Sequence, residues 1–175
     1  QMRTEFNNLI LMKLKQELYD YSSEELRPYF PLQNVLEGVF THFSKLLGLE
    51  FKAAENIPTW HEDVTAYEVH NTHSKEFVGI LYADFFPRTG KKSGAWKTSY
   101  RDQGLQGGEI KQPVVAIVCN FTKPTKDTPS LLSFGEVTTL FHEMGHATHA
   151  LLSNVTYSSH AGTSVLWDFV ELPSQ

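Results

Sequence analysis

Apolar residues recur at the spacing of an α-helix in three stretches of this chain. In residues 4–19 they stand four positions apart, which places them on one side of a helix. Residues 32–47 carry a broader apolar stripe that ends at Gly48, a common residue just after a helix. A third stripe runs through residues 137–152. The pattern therefore predicts two helices near the start of the chain and one near its end.

Between the second and third stripes the residue pattern changes to one typical of β-strands. Residues 66–70 and 76–86 are rich in β-branched and aromatic side chains and are joined by a short polar segment, which predicts a hairpin. Residues 113–121 begin with a continuous apolar run, consistent with a fully buried strand. The glycine-rich residues 104–109 are predicted to be a mobile loop. The expected fold class is α+β, with a small sheet beside the third helix.

The third helical stripe contains an H-E-x-x-H motif, formed by His142, Glu143 and His146. Two histidines four positions apart on a helix point the same way and can share one metal ion. Glu143 projects close to that face, where it could take a proton from a metal-bound water. This arrangement is typical of a zinc peptidase. The alternative is a surface helix with two solvated histidines.

The residues around the motif favour a packed helix over a solvated one. Ser133 and Glu136 have the spacing of a capping box, which ties down the first turn of a helix. Gly145 lies between the two histidines, although an isolated helix would prefer alanine there by about 1 kcal/mol. A glycine at that position suggests that another backbone segment approaches the helix closely.

A catalytic zinc site needs a third protein ligand, and four downstream residues are candidates: His149, His160, Asp168 and Glu171. His149 would lie about 10 Å from His142 along the helix axis, too far to share the ion. It also replaces the glycine of the H-E-x-x-H-x-x-G-x-x-H class, which argues against that class. Glu171 stands in an apolar segment, where a carboxylate is costly to bury unless it is paired or bound to metal. We therefore favour Glu171.

Composition limits the other functions. The net charge of −5 gives no basic footprint for nucleic acid, so no nucleic-acid partner is expected. The chain has no apolar run of membrane-spanning length, so no membrane partner is expected either. Cys119 is the single cysteine, which leaves no internal disulfide and favours a reducing compartment, so we expect a cytoplasmic protein. Its apolar surroundings predict a buried, inert thiol.

Several motifs together closely resemble the thimet oligopeptidase family of zinc metallopeptidases, and within it the branch of bacterial oligopeptidase A and peptidyl-dipeptidase. The resemblance is strongest in residues 139–149, in Gly162 and Thr163, and in residues 168–175. Further matching segments lie upstream, at residues 25–31, 60–61, 92–96 and 118–121. The resemblance covers nearly the whole chain and is far more specific than H-E-x-x-H alone.

The resemblance implies a site and a fold. By resemblance, His142, His146 and Glu171 bind one zinc ion per chain, and Glu143 is the general base that activates the zinc-bound water. The family hydrolyses short peptides in a deep channel between two largely helical halves. The implied fold is therefore the zincin-like catalytic portion of that architecture, α+β and mainly helical.

Two small segments are expected to contact substrate, because their counterparts in the resembling family lie near the active site. Gly94 and Ala95 would let a peptide add to a sheet edge as an extra strand, and the alternative is an ordinary turn between strands. Gly162 and Thr163 form either a hinge over the substrate or a simple turn, and the resemblance favours the hinge.

The family that this chain resembles has a polypeptide several times longer than its 175 residues. We therefore expect residues 1–175 to be a single fragment of a metallopeptidase catalytic domain, without the N-terminal helical half and the C-terminal part of the family. This leaves two rivals to a working oligopeptidase. One is a catalytically incompetent zinc- or peptide-binding fragment, and the other is a thermolysin-like peptidase, which also uses two histidines and a downstream glutamate.

Overall fold

In the computed structural model, which describes residues 24–175, two long helices pack on one face of a mixed β-sheet. The predicted helix at residues 4–19 lies outside the described residues. The helices are α1 (Leu32–Leu47), α2 (Phe134–Leu151) and the short α3 (Trp167–Val170), with 3-10 turns at Arg27–Tyr29, Ser158–His160 and Leu172–Ser174. The strands are β1 (Leu49–Ala53), β2 (Val64–Asn71), β3 (Phe77–Asp84), β4 (Trp96–Arg101), β5 (Gly104–Gln106), β6 (Glu109–Lys111) and β7 (Val114–Val118).

Helix α1 has the bounds that its apolar stripe predicts. Leu36, Val39 and Phe43 are its buried residues, at the spacing of one helix face. Gly48 ends the helix in a left-handed conformation with φ of 67°, and its N–H donates to the carbonyl of Ser44 at 2.9 Å. The chain then turns directly into β1.

The main sheet has the strand order β1-β2-β3-β7-β4. The predicted hairpin is confirmed, since β2 and β3 pair antiparallel. The predicted buried strand is also confirmed: β7 lies between β3, to which it is parallel, and β4, to which it is antiparallel. Strand β4 is therefore an edge strand of this sheet, and it also contacts the helix α2 that carries the site described below.

Two expectations differ from the structure. The predicted mobile loop at residues 104–109 is wrong, because β5 and β6 form a short antiparallel hairpin there. Gly107 and Gly108 make its turn with φ of 62° and 86°, a conformation that favours glycine. The expectation of a mainly helical chain is not confirmed, since the strands of the described part account for as many residues as its α-helices. The sheet was underestimated because β4, β5 and β6 are short and largely polar.

The main core lies between the sheet and the two long helices, and a smaller apolar cluster covers the opposite face. Cys119 is fully buried in the main core, as predicted, and burial raises the pKa of its thiol to about 12. No helix within residues 24–175 is both long and apolar enough to cross a membrane.

A buried ion cluster anchors the segment that leads into β4. The ammonium of Lys91 donates to the Asp84 carboxylate at 2.8 Å and to the carbonyls of Phe86 and Cys119 at 2.8 and 2.6 Å. Arg88 donates to both oxygens of the same carboxylate at 2.7 and 2.8 Å. Lys91 thus ties the ends of β3 and β7 together beside the start of β4.

Candidate metal centre

The start of α2 is fixed by the predicted capping box, which is confirmed. The N–H of Glu136 donates to the Ser133 hydroxyl at 3.2 Å, and the N–H of Ser133 donates to the Glu136 carboxylate at 2.7 Å. Arg27 adds an ion pair to the same carboxylate at 3.1 Å. The first turn of the helix that carries the two histidines is therefore held by two reciprocal hydrogen bonds and one ion pair.

The close backbone approach that Gly145 predicts is present. The 3-10 turn Leu172–Ser174 lies directly over this glycine. A Cβ atom at position 145 would stand 2.5 Å from the carbonyl oxygen of Pro173 and 2.5 Å from the Cα of Ser174. Only glycine permits this contact, and the contact brings Glu171 next to the histidine face of α2.

Three donor atoms converge at that point. The Nε2 atoms of His142 and His146 are 3.2 Å apart, and they lie 3.3 and 3.2 Å from the same carboxylate oxygen, Oε2 of Glu171. Donors bonded at about 2.0–2.1 Å to a tetrahedral zinc ion stand about 3.3 Å from one another. The chemistry and the spacing of the donor set therefore fit a three-ligand zinc site with one position left for water or substrate.

Within the described part of the chain, no other residue joins this group of metal-binding donors. His149 instead makes a ring contact with Phe169 at 6.0 Å, and His160 lies in the 3-10 turn Ser158–His160. Asp168 lies on α3. Of the four downstream candidates, only Glu171 reaches the two histidines, although its role as a ligand stays a prediction.

The segment around Glu171 is exposed, so the prediction that this carboxylate lies in a buried segment is wrong. The Glu171 side chain is 52% exposed, and the neighbouring Trp167 is 91% exposed. Glu171 is instead held by the packing of the following turn against Gly145. In contrast, His146 is buried, and burial lowers the pKa of its imidazole, which keeps the ring in the neutral form that binds a metal.

Glu143 lies on the buried side of the motif. Only 7% of this residue is exposed, and the backbone N–H of Lys97 on β4 donates to its carboxylate. Burial raises the pKa of Glu143, and the nearby His142 opposes that rise. A carboxylate of raised pKa that is held in place by an edge strand is suited to accepting a proton near neutral pH.

An open cleft of about 500 Å³ lies over these groups. It is bounded by β4, by the histidine face of α2 and by the segment that contains α3. The lining residues are Ala95, Trp96, Lys97, His142, Glu143, His146, Thr163, Val165, Trp167, Val170 and Glu171. The three candidate metal ligands and Glu143 therefore share one cleft with the edge strand.

Comparison with known proteins agrees with these features. Residues 11–175 match the family model described as Peptidase family M3. The chain belongs to peptidase family M3. It is 41% identical to a thimet-like oligopeptidase of Dictyostelium discoideum, over 97% of this chain and 25% of that protein. It is 38% identical both to an oligopeptidase A and to a dipeptidyl carboxypeptidase of Escherichia coli strain K12, each over 93% of this chain and 24% of the relative. The predicted resemblance is confirmed, and the chain spans about a quarter of the length of these relatives.

One residue of each predicted substrate segment of this M3 chain lines the cleft, and the other does not. Ala95 and Thr163 line it, whereas Gly94 and Gly162 do not. Gly94 lies at a bend before β4, and its carbonyl accepts a hydrogen bond from Asn120 at 2.8 Å. Gly162 packs against Ala150 of α2 with φ of 53°. The turn at Gly94 is thus present and leads into an edge strand, while substrate pairing and a hinge at Gly162 stay predictions.

Sequence reasoning missed two elements of the M3 cleft. Lys97 follows the recognised segment 92–96 by one residue, and its polar strand gave no strong β signal. Trp167 and Val170 also line the cleft, and they belong to the apolar segment around Glu171, for which the sequence predicts no role in the site. The available signal for Lys97 is a charged residue directly after the segment 92–96 that resembles the family.

Proposed function

We propose that this chain carries the zinc-binding, peptide-hydrolysing centre of an M3 oligopeptidase. His142, His146 and Glu171 hold one zinc ion, and short peptides are the substrates. The observation that carries the proposal is the convergence of three donor atoms within 3.2–3.3 Å beside a buried glutamate. The names of the M3 relatives, which include oligopeptidases and a dipeptidyl carboxypeptidase, support peptides as the substrate class.

Zinc, Glu143 and the backbone of Lys97 have separate roles in the proposed hydrolysis. When bound, zinc lowers the pKa of a coordinated water towards neutrality and polarises the peptide carbonyl. Glu143 accepts the proton of the attacking water and returns a proton to the leaving amine. The N–H of Lys97 orients the Glu143 carboxylate, and burial tunes that carboxylate to hold the proton between the two steps.

Composition and resemblance support further parts of the proposal. They are the cytoplasmic location, the absence of nucleic-acid and membrane partners, and the zincin-like character of the fold. The substrate contacts of Gly94, Ala95, Gly162 and Thr163 belong to the proposal as well, with Ala95 and Thr163 the better supported pair because both line the cleft.

A second candidate is a zinc- or peptide-binding module without turnover. It is favoured by the exposure of the residues around Glu171, since Trp167, which lines the cleft, is 91% exposed. A site open on that side excludes water poorly, which weakens electrostatic stabilisation of a transition state.

Zinc content and peptide cleavage test the proposal together. After dialysis against metal-free buffer, the parent chain should hold near one zinc ion, and Glu171→Ala should hold much less. Glu143→Gln should keep the zinc but lose about a hundredfold to ten-thousandfold in cleavage of a quenched peptide, because general-base catalysis supplies a factor of that size. Circular dichroism of each variant controls for folding.

The two candidates give different results. Zinc binding with cleavage that depends on Glu143 supports the peptidase. Zinc binding without cleavage supports the module. If the parent chain cannot be loaded with zinc, or if Glu171→Ala holds as much zinc as the parent, the proposed ligand set is wrong.

A further inference from the structure

Lys97 is the one lysine on β4, and it lies at the metal-site cleft. In the register of the sheet it pairs with Ile117, a residue of the main core, so its side chain is on the face of the sheet that α2 covers. Its ammonium donates to the Thr163 hydroxyl at 2.8 Å and to the Ser99 hydroxyl at 3.2 Å. Lys97 and Thr163 both line the cleft that contains Glu143.

The charge of this ammonium is not neutralised by a contact. Its hydrogen-bond partners among residues 24–175 are the two hydroxyl groups, and no carboxylate of these residues forms an ion pair with it. Asp102 and Glu143 act on it only through space, and burial lowers the pKa of Lys97. A partly desolvated cation with neutral partners gains most from an anion that enters the same space.

We propose that Lys97 binds a carboxylate of the peptide substrate and makes this chain selective for peptides that carry one near the zinc centre. The inference rests on the proposed function, because it assigns a substrate feature to the same cleft. Glu143 does not act as the anionic partner of the Lys97 ammonium. Its carboxylate accepts a hydrogen bond from the backbone N–H of Lys97 instead. The hydroxyl of Thr163 holds the ammonium in the cleft until the substrate carboxylate accepts from it.

Two sources could supply the carboxylate: the C-terminus of the peptide or an acidic side chain. A competing explanation gives Lys97 a structural role, in which its bond to Thr163 simply fastens the segment after α2. These explanations differ in one measurable quantity, the ratio of affinities for charged and neutral forms of the same peptide.

Binding is measured on the zinc-loaded chain with Glu143→Gln, so that peptides are bound without being cleaved. One neutral hexapeptide is used in its free-acid form, in its amidated form, and in amidated forms with glutamate at each position in turn. Lys97→Met removes the ammonium at similar length while the backbone N–H to residue 143 remains. Lys92→Met is the matched control, because Lys92 is an exposed lysine just before β4 that does not line the cleft.

We expect at least one carboxylate form to bind about tenfold to hundredfold more tightly than the neutral form, as hydrogen bonds to charged groups allow. Lys97→Met should reduce this ratio to about one, and Lys92→Met should preserve it. The form that loses its advantage identifies the source, the C-terminus or a side chain.

The inference is overturned by no preference for any carboxylate form, by a preference that Lys97→Met leaves unchanged (including equal weakening of charged and neutral peptides), or by the same loss of preference in Lys92→Met. No detectable binding of any peptide also overturns it. Failure of the proposed function is separate, because it appears as an absence of peptide cleavage when residue 143 is glutamate, whatever the binding ratios.

Discussion

Replacing Gly145 by alanine should weaken zinc binding without unfolding the protein. The added Cβ would stand 2.5 Å from two atoms of the turn Leu172–Ser174, the carbonyl oxygen of Pro173 and the Cα of Ser174. Both are backbone atoms, so no change of rotamer relieves the clash. Either the turn or the helix has to move, and the turn is the more exposed of the two.

The size of the movement decides the effect on the metal. Non-bonded carbon atoms are comfortable at about 3.5–4.0 Å, so the turn has to retreat by about 1 Å. Metal–ligand distances tolerate only about ±0.2 Å. Because Glu171 lies two residues before Pro173, the retreat carries its carboxylate away from His142 and His146. We expect zinc affinity to fall at least tenfold to hundredfold, the range seen when the support of a ligand is lost.

In the absence of zinc, the free energy of unfolding of Gly145→Ala should rise or stay unchanged. Alanine is favoured over glycine inside a helix by about 1 kcal/mol, and the exposed turn has little packing to lose. Gly38 supplies the matched control, since it lies inside α1 and an added Cβ there meets no atom within 4 Å. Gly38→Ala should therefore stabilise the chain by up to about 1 kcal/mol and leave zinc affinity unchanged.

Zinc titration against a competing chelator and urea unfolding with and without zinc measure both quantities. A hundredfold loss of affinity removes about 2.7 kcal/mol of zinc-linked stabilisation at saturating metal. If Gly145→Ala binds zinc as tightly as the parent and gains the same stability as Gly38→Ala, the turn does not position Glu171 and the reasoning fails.

Three further predictions concern the groups around the site. Because burial raises the pKa of Glu143, its carboxyl group in the metal-free chain should titrate above the usual range of a glutamate, and an ordinary midpoint near 4.3 in an NMR titration would contradict this. Burial opposes ionisation of Asp84, but hydrogen bonds donated by Arg88, Lys91 and Trp60 outweigh it and lower the pKa of Asp84 to about 2. Its contribution of about 2 kcal/mol should thus be complete above pH 4 and disappear as the pH falls towards 2, and this slope should be absent in Asp84→Asn when urea unfolding is followed against pH. Ser133→Ala removes a capping hydroxyl and should lower the free energy of unfolding by about 1 kcal/mol, whereas an unchanged urea midpoint would show that the cap is redundant.

The sequence predicts those parts of the fold whose signals are local. The capping box at Ser133, the end of α1 at Gly48 and the hairpin of β2 and β3 each depend on a few neighbouring residues, and all three are confirmed. Strand β4 could not be predicted in the same way. Its half-buried, polar sequence gains its place from pairing with β7, a partner that lies later in the chain.

The candidate metal centre also combines residues placed by local structure with one placed by tertiary packing. His142 and His146 are brought together by helix geometry alone, so their spacing in the sequence is sufficient to predict that they face one another. Glu171 is brought to them by the packing of a backbone turn against Gly145. The periodic pattern of apolar residues in the sequence does not predict that contact. Local apolar character led to the prediction of Glu171, but the segment is exposed rather than buried, so the buried setting on which that prediction relied is absent. The third donor is therefore the one whose position depends on tertiary packing. It follows that the two histidines should stay paired in a variant whose final turn is displaced, and that such a variant should lose zinc affinity before it loses helix α2.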